Sequence, residues 1–187
     1  GGMSYTGGYK PARSDTVIVD MRRLSQIVEI NEEDMYVTVE CGVTWKQLYE
    51  ALKAKGLRTP YFGPFSGMYA TVGGALSQNS IFFGSSIHGT AADAVLSLEV
   101  ALADGTVVKT GSAGAANNPS PFFRTYGPDL SGIFLGDTGA LGFKMQATLR
   151  LIPFAKAQRF ASFSFDTDAE MFAAMSQVAR ERLAEEC

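Results

Sequence analysis

Three short segments carry the residues whose types and spacing could do chemistry: Gly1–Gly8 (GGMSYTGG), Pro64–Asn79 (PFSGMYATVGGALSQN) and Gly136–Phe143 (GDTGALGF). Glycine has no Cβ, so successive backbone amides can turn inward and converge. Converging amides form a concavity that binds anions. Ser4 and Thr6 can add hydroxyl donors to the same anion. Gly73 and Gly74 open a helical pattern, and a helix N-terminus favours phosphate. The chemistry these segments suggest is the binding of an extended, phosphate-bearing ligand by several loops. Each segment taken alone reads first as a turn, because glycine-rich turns are common punctuation. Neither a GxGxxG opening a helix after a strand nor a GxxxxGK is present.

The remaining reactive side chains are few. His88, in GSSIHGT, is the single histidine. It is a possible general base, but a histidine bonded to loop backbone is the simpler reading. Cys41 and Trp45 read as core packing, and Tyr5 and Tyr61 as aromatics inside loops that could hold a ligand. The pairs Glu32-Glu33 and Glu185-Glu186 read as solvated charges, and no metal-ligand or paired-carboxylate constellation stands out.

The elements that must position these loops are legible in part. Thr16–Asp20 (TVIVD) and Ile27–Ile30 predict strands, and Tyr36–Val43 alternates with Val37, Val39 and Cys41 on one face. Thr44-Trp45-Lys46-Gln47 is a capping box opening a helix with Trp45, Leu48, Tyr49 and Leu52 as its apolar stripe. Gly56 stands where a left-handed cap is expected. Residues 58–90 predict a long loop region with one short helix from about Val72 to Asn79. Ala94–Leu102 and Thr106–Thr110 predict a hairpin around Asp104-Gly105, and Gly111–Pro121 a flexible excursion. A helical turn at Asp129–Leu135, the Gly136–Gly142 turn and a strand through Ile152 follow. Beyond a boundary at Pro153–Lys156, Arg159–Phe165 alternates as a strand. Thr167-Asp168-Ala169-Glu170 caps a helix with Met171, Met175, Val178 and Leu183 on one side.

Bulk composition bounds the function. The chain has 187 residues, 46% apolar and 19% charged, an ordinary globular make-up rather than a disordered one. A net charge of −3 with no basic block argues against nucleic acid as a partner. No apolar run is long enough to span a membrane. Cys41 and Cys187 match no disulfide or metal spacing, so a reducing, cytoplasmic compartment is the expectation. Residue 1 need not be the natural start, which leaves an upstream targeting segment open.

The order of the motifs adds to this. GGxSxTGG, then VIVD, YVTVECGVTWKQLYEALKAKGL, ATVGGALSQN, VLSLEVALADGTVVKTG and GPDLSGIFLGDTGALGFKMQATLRLIP resemble the flavin-binding domain of the vanillyl-alcohol oxidase / p-cresol methylhydroxylase family. The resemblance covers nearly all of residues 1–153. It implies an α+β fold, the FAD-binding type-2 (PCMH-like) subdomain, with a mixed or antiparallel sheet flanked by helices. It also implies FAD as cofactor. Gly1, Gly2, Met3, Ser4, Tyr5 and Thr6 match the family's pyrophosphate loop. Pro64, Ser66 and Thr71 fall in the stretch beside the flavin. Gly73, Gly74, Ser77 and Asn79 match the GG turn and the helix behind it. Thr138, Gly139, Gly142 and Phe143 match the turn on the adenine side. Relatives that attach FAD covalently from the first loop carry a histidine where Met3 stands. Others use a later cysteine, which Ser85–Thr90 does not supply, so the FAD is expected to be non-covalent.

The resemblance further implies that residues 1–156 are an FAD-binding domain lacking its N-terminal subdomain. Residues 157–187 would begin a substrate-binding cap, the chain being a fragment. The implied function is FAD-dependent oxidation of a small organic substrate, a 2-hydroxyacid being one candidate, with an unspecified electron acceptor. Two other classes stay open at this point: a non-catalytic scaffold or partner subunit with the same fold, and a different nucleotide-dependent enzyme.

Overall fold

The structure is a computed structural model and describes residues 1–117 and 119–186. Its centre is a five-stranded sheet. The strands are β1 (Ile27–Asn31), β2 (Tyr36–Glu40), β4 (Val95–Ala101), β5 (Val107–Lys109) and β6 (Phe143–Arg150), in spatial order β1-β2-β6-β4-β5. Every pairing is antiparallel. β6 therefore fills the centre, between strands 50 to 110 residues earlier in the chain, with Val37 opposite Leu149 and Leu98 opposite Ala147. A separate pair joins β3 (Leu57–Arg58) to β7 (Ile152–Pro153).

One face of the sheet is apolar and the helices cover it. Val37, Val39, Leu98, Val100, Ala147 and Leu149 share one core with α1 (Trp45–Lys53) and α2 (Val72–Gln78). The period-2 alternation of β2 and the i, i+3, i+7 stripe of α1 (Trp45, Leu48, Leu52) meet there. The Thr44 hydroxyl accepts from the Gln47 amide at 3.2 Å, and the Gln47 carboxamide accepts from the Thr44 amide at 2.9 Å, so the capping box forms in full. Gly56 is left-handed at φ +69°, two residues past the Ala54 cap. Trp45 packs edge-on against Tyr61, ring centroids 4.9 Å apart, and both are buried.

Several expectations need correction. Thr16–Asp20 forms no strand, and Val17 is 84% exposed. Arg159–Phe165 likewise forms none, and Phe160 is 93% exposed. Both have β-forming composition, but among the described residues no strand lies alongside to take their backbone hydrogen bonds. The helix after Thr167, α5 (Asp168–Glu181), has its capping box but buries no residue. Residues 58–90 hold more structure than one helix. β3 and a second short helix, α3 (Ser85–His88), also form there. Gly111–Pro121 opens with a 3-10 turn, tied down where the Ser112 amide donates to the Phe123 carbonyl at 2.7 Å. Its Asn118 lies outside the described residues, as does Cys187. The expected turn near Asp129 is α4 (Leu130–Ile133), capped by Asp129. Among the described residues, no helix is long and apolar enough to cross a membrane.

Candidate functional site

The three glycine-rich segments, spread over more than 130 residues of sequence, meet at one bent cleft beside α2. Two cavities of about 470 and 380 Å³ share Gly1, Gly2, Tyr9, Thr71 and Gly74. The larger continues along Gly73, Ser77, Thr138, Gly139, Gly142 and Phe143. The smaller continues along Met3, Ser4, Tyr5, Thr6, Pro64 and Ser66. Every position nominated from sequence lines one of them except Asn79. That residue turns left-handed at φ +46° to end α2, and its side-chain Oδ1 accepts the Ala92 amide at 3.2 Å.

The segments contribute differently. In the first, Gly2 (φ +71°) and Gly7 (φ +66°) bend the backbone, and the Ser4 and Thr6 hydroxyls lie 3.1 Å apart. Among the described residues no acceptor takes the amides of Gly2 to Thr6. This loop therefore offers consecutive free donors, the chemistry an anion needs.

At α2 the expectation of free helix-terminal amides is corrected. The amides of Val72, Gly73 and Gly74 already donate to Val43 O, Cys41 O and Thr71 Oγ1. What the glycines supply is absence of bulk. A Cβ on Gly73 would stand 2.7 Å from the Cys41 Cβ, so only glycine lets α2 press against the end of β2. The Cys41 thiol behind it is buried, and burial pushes its pKa up to about 12.

The third segment is held by a residue pair that sequence reading passed over. Asp137 Oδ1 accepts from the Gly139 amide at 2.9 Å and from Lys144 Nζ at 2.6 Å, while Oδ2 accepts from the Leu141 amide at 3.2 Å. Burial pushes the Asp137 carboxyl up, but the Lys144 ammonium and the two amides outweigh it and hold it below the usual carboxylate range. Arg22 and Asp20, also missed, line the larger cavity as an ion pair with Nη2 and Oδ2 2.5 Å apart. The Arg22 guanidinium holds the Asp20 carboxyl well below its ordinary range. The only sequence signal for either pair was opposite charges at i, i+2 and i, i+7.

Other singled-out residues lie elsewhere. His88 lines neither cavity, and its Nε2 is 3.4 Å from Glu185 Oε1. Glu185 and Glu186 are not simply solvated: Glu185 bonds the buried Arg58, and Glu186 accepts the Gly84 amide. Tyr61 is wholly buried, and burial raises its phenol pKa. Tyr5 is exposed on the rim. Among the described residues no His/Cys/Asp/Glu cluster could hold a metal.

A loop of free amides, a glycine-lined wall and a cleft of this size define a domain that holds a dinucleotide-sized ligand. A family model described as "FAD binding domain" matches residues 1–111, and the chain belongs to that family. The chain is 31% identical over 180 residues to D-lactate dehydrogenase [cytochrome] 1, mitochondrial, of Saccharomyces cerevisiae, covering 95% of this chain and 29% of that protein. It is 33% identical over 152 residues to glycolate oxidase subunit GlcD of Bacillus subtilis, covering 81% and 30%. Among solved structures, an alkyldihydroxyacetonephosphate synthase superposes with a TM-score of 0.73 at 21% identity, over 96% of this chain and 33% of that one. This likeness confirms the α+β, PCMH-like fold. The chain thus spans about a third or less of the length of these relatives.

The residues present fit FAD. The donor set along the cleft is neutral amides and hydroxyls, and its charged groups are already paired, Arg22 with Asp20 and Lys144 with Asp137. That set suits a diphosphate.

Proposed function

We propose that residues 1–156 are the FAD-holding part of a flavin-dependent dehydrogenase or oxidase acting on a small 2-hydroxyacid. Residues 157–187 would begin its substrate-binding domain. The observation that carries this reading is the convergence of Gly1–Thr6, Thr71–Ser77 and Thr138–Phe143 on one cleft. The names of two relatives, a D-lactate dehydrogenase and a glycolate oxidase subunit, support the substrate class.

In this reading the free amides of Gly2 to Thr6, with the Ser4 and Thr6 hydroxyls, bind the diphosphate. Pro64, Ser66 and Thr71 flank the flavin. Gly73, Gly74 and Ser77 give a wall without side-chain bulk. Thr138, Gly139, Gly142 and Phe143 border the adenine side. FAD held there would supply the redox chemistry, taking up a hydride equivalent from the substrate for delivery to a separate acceptor. Met3 offers no nucleophile, and the Cys41 thiol, although it borders the larger cavity, is buried with its pKa pushed up to about 12, so the cofactor is held non-covalently.

The test is a visible spectrum of the full-length protein under anaerobic conditions, before and after adding D-lactate or glycolate. Flavin absorbance that bleaches supports the reading. Bound flavin that no 2-hydroxyacid reduces favours a scaffold instead. Protein that is colourless and takes up no FAD overturns it.

A further inference from the structure

The turn between α4 and β6 is an unusual piece of backbone. Gly136, Thr138 and Gly139 all have positive φ, at +70°, +55° and +82°. For Thr138 this is a strained conformation, because a β-branched side chain crowds the left-handed region. Such a conformation persists only when its surroundings over-determine it. The Thr138 amide donates to the Ser77 carbonyl at 2.8 Å, which ties the turn to α2. The Asp137 carboxylate, as described, collects the Gly139 and Leu141 amides and the Lys144 ammonium.

The Asp137 and Lys144 side chains are each only 2% exposed. Lys144 is a β6 position paired with Val100 on β4, in a strand whose other inward positions are Ala147 and Leu149. A lone charge there would be strongly unfavourable, so each member needs the other. Such a pair contributes little net stability over an apolar pair of equal volume. Its position is what distinguishes it. The backbone it braces includes Thr138, Gly139 and Gly142, which line the larger cavity.

We propose that Asp137 and Lys144 are positioning residues for the FAD-facing turn: the carboxylate pins the Gly139 and Leu141 amides, and the buried ammonium fixes the carboxylate. This rests on the FAD reading of the cleft. Neither residue takes part in the chemistry.

The experiment titrates FAD into the purified full-length protein, wild type and variants, by flavin fluorescence, with a melting temperature for each. Asp137→Ala and Lys144→Met each leave one buried charge unpaired, and FAD affinity should fall about tenfold or more. The double variant D137N/K144M carries no buried charge and keeps an acceptor for the Gly139 amide. It should recover to within about threefold of wild type. Asp137→Glu keeps the ion pair but displaces the acceptor by a methylene. It should fold normally and still lose affinity, which decides the matter if the single neutral variants do not fold. Unchanged affinity in folded Asp137→Ala or Asp137→Glu overturns the proposal, as does a double variant no better than the singles. Failure of the FAD reading looks different, since wild type would then bind no FAD. In that case hydrogen exchange at the Gly139 and Leu141 amides still decides. Protection lost in Asp137→Glu supports the pinning, and protection unchanged overturns it.

Discussion

The Gly73 amide donates to the Cys41 carbonyl oxygen at 2.8 Å, and the two backbones are so close that a side chain on Gly73 would overlap Cys41. This contact seats α2 on the end of β2 and sets the position of the cleft wall. Gly73→Ala should therefore destabilise by about 1–3 kcal/mol, the range for forcing extra volume into a packed site. Gly74→Ala should cost less, since its Cβ would meet only Thr71 Oγ1, at 3.1 Å. Urea unfolding followed by the fluorescence of Trp45, the single tryptophan, compares the two. Equal costs would show that the Cys41 contact is not the constraint.

The same burial makes Cys41 inert. With its thiol pushed up to about 12 and the side chain covered, it should escape iodoacetamide at pH 8 in folded protein and react after unfolding. Peptide mapping identifies the labelled site. Consistently, acid precipitation of FAD-loaded protein should leave the flavin in the supernatant. A yellow pellet would show a covalent link.

The Thr44 capping box should carry measurable stability. Thr44→Ala removes the acceptor for the Gln47 amide and should cost about 1 kcal/mol. Thr44→Ser keeps the hydroxyl and should cost much less. Because α1 packs against the sheet through Trp45, Leu48 and Leu52, the loss should appear in global unfolding, not as local fraying.

Acid should weaken the Asp137 brace in a defined direction. Its carboxyl is held below the usual value in the folded state, net of burial, by Lys144 and the turn amides. A group with a depressed folded pKa stabilises fully above its unfolded value, about 4, and loses that contribution as pH falls through the folded value. Wild type should exceed Asp137→Asn in stability at pH 7, and the gap should close as pH drops below about 4. A gap that stays constant from pH 7 to 3 would exclude the carboxylate as its source.

Local features of this protein were legible because their causes are local. The Thr44 and Thr167 capping boxes, the Asp104-Gly105 hairpin and the alternation of β2 each depend on residues within a few positions. The order of the glycine-rich motifs also carried the family, since it reflects a whole arrangement rather than one turn. Strand formation at Thr16–Asp20 and Arg159–Phe165 was misread for the complementary reason. Composition states a preference for extended backbone, but a strand also needs a neighbour.

By itself, then, the sequence determined which segments could cradle a phosphate-bearing cofactor and which local elements flank them. Tertiary structure decided how each does so. It left the amides of Gly2 to Thr6 free while committing those of α2 to Val43, Cys41 and Thr71. It placed β6 between β2 and β4, and so buried Lys144 together with its ion pair to Asp137. Burial and the long-range hydrogen bonds from Val72 to Val43 and from Gly73 to Cys41 belong to the packed chain, because they depend on which distant backbone arrives alongside, and no local spacing encodes that.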